Sequence, residues 1–206
     1  MITFYTNPQS RGQIVHWLLE ELGVPYDTVW IEYGEQMKSA EYLAVNPMGK
    51  VPAIKHKNAL VTEAAAICTF LAVSYPEQGL APAVGDPKLA DFYRWMHFAS
   101  GPLEMATTAK SIGWGVADEQ RRMVGFGSYE ETLSVIEQVL AEGPFICGDK
   151  FTAVDVYLGA ALNWGMLFGT VEKRPAFEEY ASRLQQRLAA QRAVQINEDT
   201  MQSAAS

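Results

Sequence analysis

Cysteine is scarce in this sequence. Cys68 and Cys147 are the only two, and neither belongs to a CxxC pair or has a histidine at metal-ligand spacing. This pattern predicts that the chain uses neither a bound metal nor a redox-active cysteine pair. We expect both thiols to be buried in a reducing compartment.

Long apolar runs are absent as well. No stretch approaches the roughly 18 apolar residues of a membrane-spanning helix. The first residues, Met1-Ile-Thr-Phe-Tyr5, are typical of a strand and have no basic segment of a signal peptide. We therefore expect a cytoplasmic protein that does not bind membranes.

Positive charge is limited: 16 Lys and Arg stand against 24 Asp and Glu, for a net charge of -8 at pH 7. Nucleic acids and anionic membranes bind basic patches. The densest basic cluster, Lys55-His56-Lys57, is short and is typical of a solvated hairpin end. The composition therefore argues against a nucleic-acid partner. A chain of 206 residues suffices for one large core or two small ones.

Strand and helix patterns alternate in the first part of the chain. β-branched and aromatic runs predict strands, and apolar residues spaced three and four apart predict helices. In chain order we predict strand 2–6, a helix between Ser10 and Gly23, strand 26–31, a short helix near 39–44, strands 51–56 and 59–62, and helix 64–73. This βαβ-ββα order, with a proline before the third strand, is the thioredoxin-like α/β arrangement.

The most informative run is Asn46-Pro-Met-Gly-Lys-Val-Pro-Ala-Ile54. Its first proline and its glycine demand a turn. Pro52 must open a strand or lie on an edge, because it has no N–H to donate, and an X-Pro bond in a tight turn can be cis. Val51, just before it, is predicted to present its backbone N–H and C=O to a ligand.

The rest of the chain is predicted to be all-α. We place a thioredoxin-like domain at 1–78, a Pro-, Gly- and Ala-rich linker at 79–86 and a helical domain at 87–206. The predicted helices are a long one from Pro87 interrupted at Gly101-Pro102, then 116–140, 154–167 and 175–191. The polar tail after Val194 is expected to be either frayed or packed on the surface. Thr152-Ala-Val-Asp155 has the spacing of a capping box, so Asp155 is predicted to cap rather than to catalyse.

Four pieces of the sequence, in this order, resemble the glutathione S-transferase superfamily, most closely a bacterial cytosolic member. They are Ser10-Arg-Gly with Trp17–Tyr26, then Asn46–Ile54, Leu60-Val-Thr-Glu-Ala64, and Phe151–Asp155. The resemblance covers almost the whole chain. It implies an enzyme of detoxification that uses glutathione as co-substrate, needs no metal and forms a homodimer.

The resemblance also implies a binding site for glutathione in the first domain. The backbone of Val51, held by a cis Pro52, would pair with the cysteinyl unit of glutathione as a one-residue strand addition. Glu63 would bind the α-ammonium, and the first N–H groups of the next helix the carboxylate. The family usually has Ser or Thr after this acid, whereas this chain has Ala64. The other implied contacts are Asn7, Gln9 and Lys50.

Transferase chemistry needs a thiolate, and a free thiol has a pKa near 8.5. A hydroxyl that donates a hydrogen bond to sulfur lowers that pKa. Ser10, at the start of the first helix, is preferred for this role over Tyr5, and the amide of Asn7 is a third candidate. Some bacterial members have a cysteine at this helix start. Its absence argues against a mixed-disulfide mechanism.

The helical domain would supply the pocket for an apolar electrophile, with Met105 and Trp114 as its chief candidates. Conjugation of glutathione to such electrophiles is the leading hypothesis. Two alternatives stay open: a non-catalytic binding or interaction module on the same fold, and glutathione-dependent disulfide reduction or isomerisation.

Overall fold

The computed structural model describes residues 1–204 and divides into two compact units. Unit 1 contains Met1–Gln78 together with the chain from Gln186 onward, and unit 2 contains Gly79–Gln185. The last segment therefore packs with the first unit, which differs from the expected helical domain at 87–206.

Unit 1 is built on a four-stranded mixed sheet in the order β2-β1-β3-β4. Its strands are β1 (Ile2–Thr6), β2 (Tyr26–Trp30), β3 (Ala53–His56) and β4 (Ala59–Thr62), and its first helices are α1 (Gly12–Leu22), α2 (Ala40–Leu43) and α3 (Ala64–Ser74). β1 pairs with β2 in parallel through α1, and with β3 in antiparallel. The predicted thioredoxin-like βαβ-ββα order is confirmed.

Alternation along β1 separates the two faces of the sheet. Ile2, Phe4 and Thr6 are fully buried, whereas Thr3 and Tyr5 between them are only partly so. α1 ends at Gly23, whose left-handed φ of 63° lets its N–H reach the carbonyl of Leu19. One face of β1 is thus buried, and the strand fixes the position of the loops at its ends.

Unit 2 is helical, as predicted. Its helices are α4 (Lys88–Phe98), α5 (Glu104–Ile112), α6 (Tyr129–Leu140), α7 (Ala153–Phe168) and α8 (Pro175–Gln185). A π-helical turn, Ala99–Leu103, carries Pro102 at the interruption expected between α4 and α5. None of the helices among residues 1–204 is both long and apolar enough to cross a bilayer.

The predicted helix 116–140 was wrong over its first half. Residues Asp118–Met123 form only a 3-10 segment, and the α-helix begins after Ser128, whose side chain accepts from the N–H of Glu131. Gly127 just before it has a left-handed φ of 61°. A glycine in that conformation followed by a capping serine starts a new helix rather than continuing an old one.

Asp155 is the polar centre of unit 2. Its carboxylate is completely buried and accepts from the N–H groups of Ile146 (2.9 Å) and Thr152 (2.8 Å), from the Thr152 hydroxyl (3.2 Å) and from the Tyr180 hydroxyl (2.8 Å). Burial raises the pKa of Asp155, and these four donors oppose the rise. The capping box predicted at Thr152–Asp155 is confirmed.

The C-terminal segment forms a helix, α9 (Leu188–Ala204), so of the two expectations for the tail the frayed one was wrong. The helix packs on α1. Ala193 and Asn197 are buried on it, and two arginines reach back to α1: Arg187 forms a bidentate pair with Glu21, and Arg192 Nε lies 2.8 Å from Glu20. Small residues on one face allow this close packing in spite of the polar composition.

A buried histidine joins α1, β2 and α9. The Tyr26 hydroxyl donates its only proton to Glu20 (2.6 Å), so it must accept from Nε2 of His16 (2.9 Å). Nδ1 of His16 then accepts from the Asn197 amide (3.1 Å). His16 is therefore neutral, and burial lowers its pKa.

We expect this network to make unit 1 sensitive to acid. The unfolded chain binds a proton at His16 more readily than the folded one, so the free energy of unfolding should fall as the pH drops below about 6.5. Replacing His16 by Gln should flatten this dependence between about pH 7 and about pH 5. Urea midpoints measured across that range check this. The exposed His97→Gln is the control, and an unchanged slope in His16→Gln would refute the role of His16.

Candidate functional site

Three segments that contain predicted site residues meet at one end of the sheet of unit 1. Tyr5 pairs with Ala53, and Ala53 pairs with Thr62. Because β3 is antiparallel to both neighbours, the end of β1, the start of β3 and the end of β4 lie side by side. The structure thus brings together the turn 7–11, the pair Val51-Pro52 and the start of α3.

Val51 has the most informative backbone at this end. The Val51-Pro52 bond is cis. The ladder of β3 begins only at Ala53, and among the described residues neither the N–H nor the C=O of Val51 has a hydrogen-bond partner. Backbone groups left unpaired beside a sheet are available to pair with an extended ligand.

Glu63 follows Thr62, the β4 residue that pairs with Ala53, and lies at the start of α3. Its side chain is exposed, and its backbone has φ 69° and ψ 118°, a region that non-glycine residues rarely occupy. Holding a residue there costs on the order of 1–3 kcal/mol, and such residues concentrate at ligand sites. The first N–H groups of α3, beginning at Ala64, have no partner within the helix and favour an anion.

Ser10 lies in the turn before α1. Its hydroxyl donates to the carbonyl of Asn7 (2.7 Å) and accepts from the N–H of Gly12 (2.9 Å). A hydroxyl that accepts from a backbone N–H is polarised into a stronger donor. Gly12 permits this approach, because a Cβ there would overlap Thr6 Oγ1 and crowd Ser10 Oγ.

Asn7 and Gln9 shape this turn. The amide of Asn7 donates to the carbonyl of Ile31 (2.9 Å), and its Oδ1 accepts from the N–H of Gln9 (2.9 Å). The carbonyl of Gln9 accepts from the Tyr33 hydroxyl (3.1 Å). The Asn7 side chain therefore connects the turn to the end of β2, and its second amide hydrogen remains available to a ligand.

Tyr5 points to the opposite face of the sheet from Thr6. Its ring packs with Tyr42 at a centroid distance of 6.1 Å and lies in the same apolar cluster as Val51. Lys55 Nζ is 5.6 Å from the ring centroid. Tyr5 thus packs against the same cluster as Val51, so it stays a candidate beside Ser10 for the activating hydroxyl.

Two residues that the sequence did not single out belong to this region, Lys38 and Tyr42. Tyr42 donates its hydroxyl to the carbonyl of Lys50 (2.8 Å), and Lys38 Nζ lies 2.8 Å from the carbonyl of Gly49. The sequence feature that relates them is their spacing of four residues, which Asn46 continues. The exposed Lys50 side chain, a predicted contact, lies just before Val51.

The two predicted pocket residues lie in unit 2. Met105, on α5, is 44% exposed, and Trp114, just after it, is 45% exposed with its ring edge-on to Phe126. Large apolar side chains this exposed are available to an apolar ligand. Among residues 1–204, no cluster of His, Cys, Asp or Glu side chains has the arrangement of a metal site.

The sequence matches two models of known protein domains. Residues 10–73 match the N-terminal domain of glutathione S-transferases, and residues 117–164 match their C-terminal domain. The chain is 28% identical over 167 residues to glutathione S-transferase GstA of Escherichia coli O157:H7, with 80% of this chain and 82% of that protein covered. It is 30% identical to the glutathione S-transferase-like protein OpS6 of Beauveria bassiana, with coverages of 68% and 67%.

Solved structures give the same result. A glutathione transferase from Methylococcus capsulatus superposes with a TM-score of 0.80 at 26% identity, covering 96% of this chain and 99% of that one. A sphingomonad glutathione S-transferase in complex with glutathione has a TM-score of 0.77 at 25% identity, with coverages of 95% and 98%. By domain order, fold and sequence, this chain belongs to the glutathione S-transferase superfamily.

Proposed function

We propose that the protein is a glutathione transferase that conjugates the glutathione thiolate to small apolar electrophiles. The observation that carries the proposal is the unpaired backbone of Val51 beside the sheet. The cysteinyl unit of glutathione supplies one N–H and one C=O, which match those of Val51 as a single added strand residue. The known complex of a sphingomonad relative with glutathione supports this ligand.

The γ-glutamyl end of glutathione would be bound by the start of α3. The exposed Glu63 carboxylate pairs with the α-ammonium group, and the free N–H groups from Ala64 onward receive the neighbouring α-carboxylate. Ala64 has no hydroxyl, so only its backbone takes part. Asn7, Gln9 and Lys50 complete the proposed site.

Ser10 is proposed to activate the thiol. Its hydroxyl would turn from the carbonyl of Asn7 to the sulfur, while the Gly12 N–H continues to polarise it. Thr6 Oγ1 lies 3.5 Å from the same Asn7 carbonyl and can donate to it in place of Ser10. Donation to sulfur favours the thiolate over the thiol and lowers its pKa.

The electrophile is assigned to unit 2, with Met105 and Trp114 as its apolar contacts. Catalysis would then consist of positioning the electrophile and supplying the thiolate. A homodimer is part of the proposal and is checked by sedimentation equilibrium. The two alternatives are separated by turnover: a binding module retains glutathione without conjugating any of several electrophiles, and a reductase acts on a mixed disulfide of glutathione instead.

We expect Glu63→Gln to weaken glutathione binding about tenfold or more, because a hydrogen bond to a charged group contributes about 1.5–3 kcal/mol. Calorimetric titration of glutathione into both proteins measures this. Glu77→Gln, an exposed acid just after α3, is the matched control and should bind like the wild type. Equal affinities of the Glu63 variant and the wild type would remove Glu63 from the site.

A further inference from the structure

Three consecutive backbone carbonyls lead into Val51, and each accepts a hydrogen bond from a side chain of one short segment. Lys38 Nζ contacts the carbonyls of Met48 (3.0 Å) and Gly49 (2.8 Å). The carbonyl of Lys50 accepts from the Tyr42 hydroxyl (2.8 Å) and from the Asn46 amide (2.6 Å). The donors are four residues apart, on the segment around α2.

The turn is also held from within. Asn46 is 3% exposed, and its Oδ1 accepts from the N–H of Met48 (3.1 Å), while its own carbonyl accepts from the N–H of Gly49 (2.8 Å). Gly49 has a left-handed φ of 56°, and a Cβ there would come within 2.8 Å of Lys38 Nζ and of the Met37 carbonyl. The lysine thus lies directly against the glycine.

The secondary structure around these donors is too short to fix the turn by itself. α2 has only four residues, and the 3-10 turn Gln36–Lys38 has three. Isolated helices of this length are unstable in water. The side-chain bonds to the carbonyls of 48–50, together with the burial of Tyr42 (3% exposed), are therefore the main constraint on this turn.

We propose that Lys38, Tyr42 and Asn46 form a carbonyl clamp, three positioning residues that set the backbone of Val51 for glutathione before the ligand arrives. The clamp occupies every carbonyl from Met48 to Lys50 and leaves the next backbone groups, those of Val51, unpaired. A preset backbone lowers the entropy cost of binding an extended ligand. The proposal rests on glutathione as the ligand of Val51.

The Tyr42 hydroxyl is suited to be a permanent donor. Burial, and to a lesser extent the neighbouring Tyr5, raises the pKa of Tyr42 to about 12, so its hydroxyl stays protonated throughout the neutral range. Lys38 supplies a charged donor to two carbonyls at once, and charged donors form the stronger bonds. Loss of either should loosen the turn without touching the reacting thiol.

The test uses Tyr42→Phe, Lys38→Met and the double variant in the full-length protein. The matched controls lie near His56, at the other end of β3: Lys57→Met directly follows it, and Tyr75→Phe removes a hydroxyl 3.5 Å from His56 Nε2. In the ligand-free proteins we expect faster hydrogen exchange at the amides of Met48 and Gly49. With glutathione, the Kd should rise about fivefold in each single variant and at least tenfold in the double variant.

A comparison of the effects on Kd and on kcat distinguishes a positioning role from a role in the chemical step. At saturating glutathione the kcat should stay near the wild-type value, because the clamp does not contact the sulfur, and the controls should match the wild type in both readouts. Unchanged exchange at Met48 and Gly49, unchanged Kd, or a loss confined to kcat would overturn the clamp. A wild-type protein that does not bind glutathione would instead overturn the proposed function.

Discussion

Ser10→Ala is expected to lower kcat/KM for conjugation about a hundredfold at neutral pH, the lower end of the range for one proton-handling group. Without the hydroxyl, the thiol of bound glutathione returns toward its free pKa near 8.5. The deficit should therefore shrink as the pH rises past that value, because the thiolate then forms unaided. Rates measured across the pH range, at saturating and at limiting glutathione, give both the size and the pH dependence of the effect.

Tyr5→Phe is the companion variant, because Tyr5 packs against the same apolar cluster as Val51. We expect it to retain most activity, and Ser10→Thr to recover part of what Ser10→Ala loses. If instead Tyr5→Phe raises the thiol pKa and Ser10→Ala leaves it unchanged, the assignment is reversed. Glutathione affinity should be similar in all three variants, because the contacts proposed for binding are elsewhere.

Asp155→Ala is expected to lower the free energy of unfolding by about 3–5 kcal/mol, because each buried donor left without an acceptor costs about 1–3 kcal/mol. The change leaves two backbone N–H groups and the Tyr180 hydroxyl buried without an acceptor, and each unsatisfied group is costly. Urea denaturation measures the loss. Asp149→Ala, an exposed acid a few residues earlier, is the control and should have a small effect.

A smaller loss in Asp155→Asn would support the same account. The amide oxygen keeps an acceptor for Ile146 or Thr152, but the NH2 group faces donors where the carboxylate had a second oxygen. A wild-type stability in Asp155→Ala would show that the four donors find other partners, and Asp155 would then not be the polar centre of unit 2.

Patterns within single elements were enough to predict much of the fold. The β-branched and aromatic run Ile2–Thr6 predicted β1, and the spacing of Thr152 and Asp155 predicted the capping box of α7. These signals depend on residues close in sequence. Two predictions failed because local sequence patterns do not contain the information that decides them. The start of α6 depends on the conformation of Gly127, and α9 is stabilised by packing on α1.

In the candidate site, too, local patterns predicted some features, whereas others depend on residues distant in sequence. Pro52 alone predicted that a strand starts at this point, since proline has no N–H to donate to a ladder. The positive φ of Glu63 depends on the connection from β4 to α3, which no local pattern encodes. The roles of Lys38 and Tyr42 depend on a turn more than seven residues further on, so their spacing became meaningful only once the fold was known.

A crystal structure of the protein with glutathione bound tests the proposed site most directly. We expect the N–H and C=O of the ligand's cysteinyl unit to pair with the backbone of Val51 at about 2.9 Å, with Ser10 Oγ as the nearest hydroxyl, about 3.5 Å or less from the sulfur. Glu63 should contact the α-ammonium group. Glutathione bound elsewhere, with Val51 still unpaired, would contradict the proposed site.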